Sequence, residues 1–193
     1  MKSKFIKYHG MTAKDFLEAM SEEFGFPLEP PIDLTKILET LEIKLDESID
    51  LDRIGTVGSV SIGEGGIPTI WVNPIENDYE PRRRFTIAHE LGHLIKHIDP
   101  EIGIKEFMDT EKTLNRKESY WDSKEYEANN FAARLLMPAS LLKKHGNIII
   151  SEYKLETGKK GIPVDIFIEK MAKLFNVSKP AMRYRLKNIG AIK

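Results

Sequence analysis

Arg84-Phe85-Thr86-Ile87-Ala88-His89-Glu90-Leu91-Gly92-His93 is the stretch on which the fold turns. Pro81 stands just before it, and a proline suits the first turn of a helix because the N–H it lacks has no partner there. Ile87, Ala88, Leu91, Leu94 and Ile95 recur at helical spacing, and Asp99-Pro100 stops the run. The pattern predicts one helix from Pro81 to about Ile98. On it His89 and His93 are one turn apart, with Cβ atoms about 5–6 Å from each other, so both imidazoles reach a single ion. Glu90 lies beside them, placed to address a water in the ion's open coordination position. Zinc at such a site lowers the pKa of that water to about 7, and a carboxylate can take the proton and hand it to a leaving amine. Gly92 is costly inside a helix, by about 1 kcal/mol relative to Ala, and so predicts a second backbone passing close to it. The rival reading of the motif is an exposed, charged helix face.

Two imidazoles and a water leave a tetrahedral zinc site one protein ligand short. His97 continues the i, i+4, i+8 row, yet it lies about 12 Å along the axis from His89, too far to share the ion. It is read as a structural residue that packs or caps the helix end. Asp99 stands at another spacing used by metal peptidases, but Lys96 occupies the place where that pattern has glycine. The better candidate is Glu125, in Glu125-Tyr126-Glu127-Ala128-Asn129. A helix over about 123–137 puts Glu125, Ala128, Asn129, Ala132 and Leu136 on one face, whose small residues permit close approach to the histidine helix. Asn129 falls one turn beyond Glu125, where it can accept the Nδ1–H of a metal-binding imidazole. Glu127 points nearly opposite, toward Arg134, and is expected in solvent. Against Glu125, Asp122-x-x-Glu125 also reads as a helix capping box.

Upstream, Phe16, Leu17, Met20 and Phe24 share a stripe that predicts a short amphipathic helix over 12–24. Asp33, after Pro27, Pro30 and Pro31, caps a second helix carrying Leu34, Ile37, Leu38 and Leu41. Residues 57–62 and 67–72 are β-branched runs around Gly63-Glu64-Gly65-Gly66 and predict a hairpin, with 43–45 a third strand. The run 67–72 shortly precedes the histidine helix. It is expected to be an edge strand that pairs with extended substrate, the Ile70 amide facing the groove. Downstream, 101–122 is polar and aperiodic and reads as a loop or covering flap. Leu141 and Leu142 predict a short helix, 148–150 is a strand-sized apolar run, and 158–161 is a turn.

A chain of 193 residues suits one domain with a small appendage, divided here as 1–160 and 161–193. Twenty-nine Lys and Arg nearly cancel thirty Asp and Glu, for a net charge of −1. No whole-chain field therefore favours nucleic acid or a membrane surface. The absence of cysteine excludes disulfides, thiolate metal sites and cysteine nucleophiles, so a metal must sit on histidine and carboxylate. The N-terminus lacks the apolar run and cleavage site of a secretory leader, and no stretch approaches the ~18 apolar residues that span a bilayer. The expected location is the cytoplasm.

Arg84 to His93, followed by Glu125-x-x-Ala128-Asn129-x-Phe131-Ala132-Ala133-x-Leu135-Leu136-Met137-Pro138, resembles the ImmA/IrrE family of metallopeptidases. The tail from Phe175-Asn176-Val177-Ser178 to Ala181-Met182-Arg183-Tyr184-Arg185-Leu186 is similar to that family's C-terminal helices. The likeness spans roughly Pro31 to Gly190 and departs from the pattern over 143–162. It implies an α+β, gluzincin-like (zincin) fold, with a small antiparallel sheet packed on the active-site helix. It also implies that His89, His93 and Glu125 bind Zn2+, that Glu90 is the base, and that the substrate is a helix-turn-helix repressor encoded nearby. Cleavage of such repressors releases genes for mobile-element transfer, phage induction or stress response.

Independently of that resemblance, 172–182 reads as a helix-turn-helix. Asn176 tolerates a left-handed turn, Ser178 can cap the next helix, and Pro180 sits in its first turn. From Asp165 to Lys193, seven Lys and Arg face Asp165 and Glu169, a net of +5. Two rival functions follow: a DNA-binding regulator with a structural zinc, or a toxin- or antitoxin-type partner that acts by binding alone. An intact Glu90 favours the enzyme, because a binding module has no use for a base there. Arg183 and Arg185 are read as a docking surface for the repressor. Tyr126, Tyr184, Arg183 and His145 are all oxyanion stabilisers by residue type, and spacing does not choose among them.

Overall fold

The computed structural model of the chain describes residues 4–99, 106–110 and 123–193. Thr12 opens α1 (Ala13–Phe24) by accepting from the Asp15 amide, and Gly25 closes it at φ 62°. Asp33 accepts from the Lys36 amide to open α2 (Leu34–Thr40). The chain then enters β1 (Lys44–Asp46), β2 (Thr56–Ile62) and β3 (Pro68–Val72). Helix α3 (Glu80–Lys96) has proline in its first turn and ends at His97.

Strand β4 (Glu106–Thr110) lies inside the stretch expected to be a loop. Its ladder with β2, not a period-2 pattern of its own, makes it a strand, which is why local sequence did not reveal it. The rest of that stretch, with Asp122 of the alternative capping box, lies outside the described residues.

The sheet order is β1-β3-β2-β4. The sheet is mixed rather than antiparallel. Strands β2 and β3 form the expected hairpin and β4 runs antiparallel to β2, but β1 is parallel to β3. The hairpin leaves only the far side of β3 for β1, and β1 arrives there in the direction of β3. Strand β3 is thus an inner strand: Ile70 pairs with Leu45 on one side and Val60 on the other, and its side chain is fully buried. An extended peptide cannot add to a strand already paired on both edges, so Ile70 is a core residue and not a docking residue. The outer strands are β1 and β4.

Helix α3 lies between this sheet and α4 (Ser123–Leu136). Gly92 permits the second contact. A Cβ at that position would stand 3.1 Å from both Cα and O of Ala128, backbone atoms that have no rotamer to give way. Phe131 of α4 also meets Phe16 of α1, with ring centroids 5.9 Å apart.

Helix α5 (Ala139–Thr157) is far longer than the short helix expected around Leu141, and it absorbs the apolar run at 148–150. Leu142, Gly146, Ile149 and Tyr153 form its buried stripe, which glycine in place of an apolar residue disguises in the sequence. Gly146 has a packing role: a Cβ there would stand 3.2 Å from the ring tip of Phe167 on α6 (Val164–Phe175). Asn176 turns the chain at φ 50°, and Ser178 caps α7 (Lys179–Asn188) by accepting from the Ala181 amide. Met171, Phe175, Met182 and Leu186 join the same apolar core as the sheet and α3. Among the described residues no helix is long and apolar enough to cross a membrane.

Candidate metal centre

Helix α3 buries its histidines on the side that meets α4. His89, Glu90 and His93 are fully buried, and Glu125 enters from the first turn of α4 with only 5% of its surface exposed. The Nε2 atoms of His89 and His93 lie 3.0 Å apart. Glu125 reaches both, with Oε2 3.3 Å from His89 Nε2 and Oε1 3.1 Å from His93 Nε2. His89, His93 and Glu125 therefore each offer a donor atom to one point.

That geometry fits a tetrahedral ion. Two ligands held about 2.0–2.1 Å from zinc stand roughly 3.3–3.4 Å apart, close to the separations observed here. The chemistry of the donors agrees, since nitrogen lone pairs and carboxylate oxygens repel at this distance unless a proton or cation lies among them. Burial pushes the Glu125 pKa up, but hydrogen bonding and charge from His89 and His93 outweigh it and hold the carboxyl well below its ordinary value. The group is therefore an anion at neutral pH, as a metal ligand must be.

Glu90 lies next to this cluster but outside it, pressed toward the sheet. A Cβ on Gly58 of β2 would fall 2.5 Å from Glu90 Oε1 and 2.8 Å from Thr86 Cγ2. Asn77 fixes that approach. Its side-chain amide donates to the carbonyls of Val57 and Asn73, and its oxygen accepts from the Thr86 hydroxyl at 2.6 Å. One asparagine thus ties β2 to α3 beside the carboxylate. Neither Gly58 nor Asn77 was singled out from the sequence. A glycine inside Thr56-Val57-Gly58-Ser59-Val60 was the available signal, because glycine in a strand marks close approach of another group.

The surroundings of His93 also differ from expectation. Its Nδ1 is 3.0 Å from Nδ1 of His97, whose Nε2 is 3.3 Å from Oε2 of Glu127. Asn129, expected to accept from a metal-binding imidazole, lines a groove with Phe85, Tyr126, Ala133 and Tyr184. Glu127 is half-exposed and also meets His97, while Nε of Arg134 bonds Asn130. Burial and the neighbouring His93 push the His97 pKa down, against a smaller upward effect of Glu127.

The groove brings Tyr126 and Tyr184 beside Phe85, whose ring stacks on His89 at 6.3 Å between centroids. His145 is held elsewhere, 3.1 Å from Glu29, and Arg183 pairs with Asp165. Arg185 is buried, and its Nε donates to the Met137 carbonyl at 3.1 Å. It ties α7 to the end of α4, and the same side chain lines the groove with Tyr126 and Tyr184.

A helix bearing His-x-x-x-His, a carboxylate from the neighbouring helix and a small sheet over the far face define a peptidase of the zincin type. The chain belongs to the family of the IrrE N-terminal-like domain, a peptidase family (M78), whose model matches residues 47–187. No curated protein matches the chain.

Proposed function

We propose that this chain is a cytoplasmic zinc endopeptidase that cleaves a helix-turn-helix transcriptional repressor encoded beside it and so relieves repression. The convergence of three buried donors from two helices, 3.0–3.3 Å apart with Glu90 alongside, carries this reading. In it His89, His93 and Glu125 hold the ion. Bound zinc would polarise the scissile carbonyl and bring the pKa of a water to about 7. Glu90 accepts the proton of the attacking water and delivers it to the amine nitrogen as the peptide C–N bond breaks. Tyr126 and Tyr184, which line a groove together with Phe85, are the oxyanion candidates in this reading, while His145 is held by Glu29 and Arg183 by Asp165.

Residues 1–160 would form the peptidase proper and 161–193 a helical segment packed on it. Arg183, which is exposed, and Arg185, which lines the groove, are the docking contacts in this reading. The rival DNA-binding reading loses support on α7. Arg185 is buried, Arg183 pairs with Asp165, and Lys179 pairs with Glu169 at 2.9 Å. Incubating the purified chain with zinc and the neighbouring helix-turn-helix protein should yield two fragments of that protein, and a chelator should prevent it. An intact repressor after incubation with zinc-loaded chain would refute the substrate assignment.

Gly58 supplies a further test of Glu90. In Gly58→Ala the new methyl can be relieved only by displacing side chains, chiefly the Glu90 carboxylate. Zinc content should stay at the wild-type level while kcat falls, by on the order of 10²-fold for a displacement near 1 Å. Unchanged kcat in a folded Gly58→Ala variant would show that the position of Glu90 does not limit the reaction.

A further inference from the structure

We propose that His97 and Glu127 are positioning residues for His93, holding its ring in the tautomer and orientation that present Nε2 to the metal. The inference rests on the metal-site reading above. His93 Nε2 is the atom that faces His89 and Glu125, at 3.0 and 3.1 Å. A metal-binding nitrogen must offer a bare lone pair, so the ring proton belongs on Nδ1. That proton needs an acceptor, and the atom 3.0 Å away is His97 Nδ1. His97 can accept there only if its own proton is on Nε2, where Glu127 Oε2 stands 3.3 Å away to receive it. Each link fixes the next: His93 donates to His97, and His97 donates to the carboxylate.

The fold holds the intermediate ring in place. His97 follows α3, its amide donates to the His93 carbonyl at 2.8 Å, and only 8% of its surface is exposed. Glu127 lies on α4, the helix that also supplies Glu125. Metal-bound imidazoles ordinarily pass their second N–H to a carboxylate or carbonyl directly. Here the interposed ring lets a half-exposed carboxylate act on a buried ligand, and the i, i+4, i+8 spacing of the three histidines acquires a purpose. His97 is outside the ion's reach but within reach of the ligand.

Zinc affinity of the full chain, read by competition with a fluorescent chelator, tests this. His97→Leu should weaken binding by about 10–100-fold, the usual cost of losing such a partner. His97→Gln should stay within roughly threefold of wild type, because its amide oxygen can accept from His93 while its nitrogen donates to Glu127. Glu127→Leu should weaken binding by about tenfold, and the double variant His97→Leu/Glu127→Leu should be no weaker than His97→Leu alone. A folded His97→Leu variant within twofold of wild type would overturn the proposal, as would His97→Gln failing as badly as His97→Leu. Additive losses in the double variant would do the same. If circular dichroism shows His97→Leu misfolded, the half-exposed Glu127 decides, and unchanged affinity in Glu127→Leu refutes the chain. A wild-type chain that takes up no zinc defeats the metal-site reading itself, whereas zinc-binding variants with unaltered affinity defeat only this inference.

Discussion

Glu90→Gln should take up zinc as wild type does and cleave its substrate about 10²–10⁴-fold more slowly, the range expected when a positioned general base is lost. The substitution is nearly isosteric, which matters because Glu90 is fully buried against β2 at Gly58. It removes a proton acceptor and leaves the shape. Glu90 lies outside the set of donors that could share one ion, so metal content should not follow activity downward. Elemental analysis and a cleavage assay on the same preparation separate the two effects. Cleavage at the wild-type rate would mean that another group takes the proton. Loss of zinc along with activity would mean that Glu90 supports the ion and not the chemistry.

Glu125→Gln should do the reverse and lose the metal itself, with zinc falling from about one per chain to near none. The carboxylate is the only negative donor in the cluster, and it bridges the two imidazoles at 3.3 and 3.1 Å. An amide of the same shape brings neither charge nor a comparable ligand into a buried site. His93→Ala should behave alike, removing a donor outright. These losses are larger than those expected at His97 and Glu127, which touch the ion only through another residue. Stoichiometric zinc in a folded Glu125→Gln variant would remove Glu125 from the ligand set. Among the described residues, no other third donor converges with His89 and His93.

The parts of the site legible in the sequence were those fixed by spacing along one helix. His89 and His93 had to share a face once the helix was granted, and Gly92 announced the close approach of α4 that the structure contains at Ala128. Glu125 was reachable by the same periodicity, one helix later. What spacing could not supply was the relation between elements. Glu127 is half-exposed on the Arg134 side of α4, as its spacing indicates. Its contact with His97 depends on how α4 lies on α3 and was beyond periodicity within α4. Ile70 was misplaced because strand order in a sheet is a nonlocal property, and three short residues of β1 were enough to turn a presumed edge into an interior. The length of α5 escaped because Gly146 interrupts its apolar stripe, and only Phe167 from another helix explains that glycine.

Titration of metal-free, full-length chain with zinc by calorimetry most directly tests whether His89, His93 and Glu125 form a metal centre. One saturable site per chain is the predicted result, abolished in Glu125→Gln and preserved in Glu90→Gln. No saturable binding by the folded wild-type chain, or equal binding in Glu125→Gln, would contradict it.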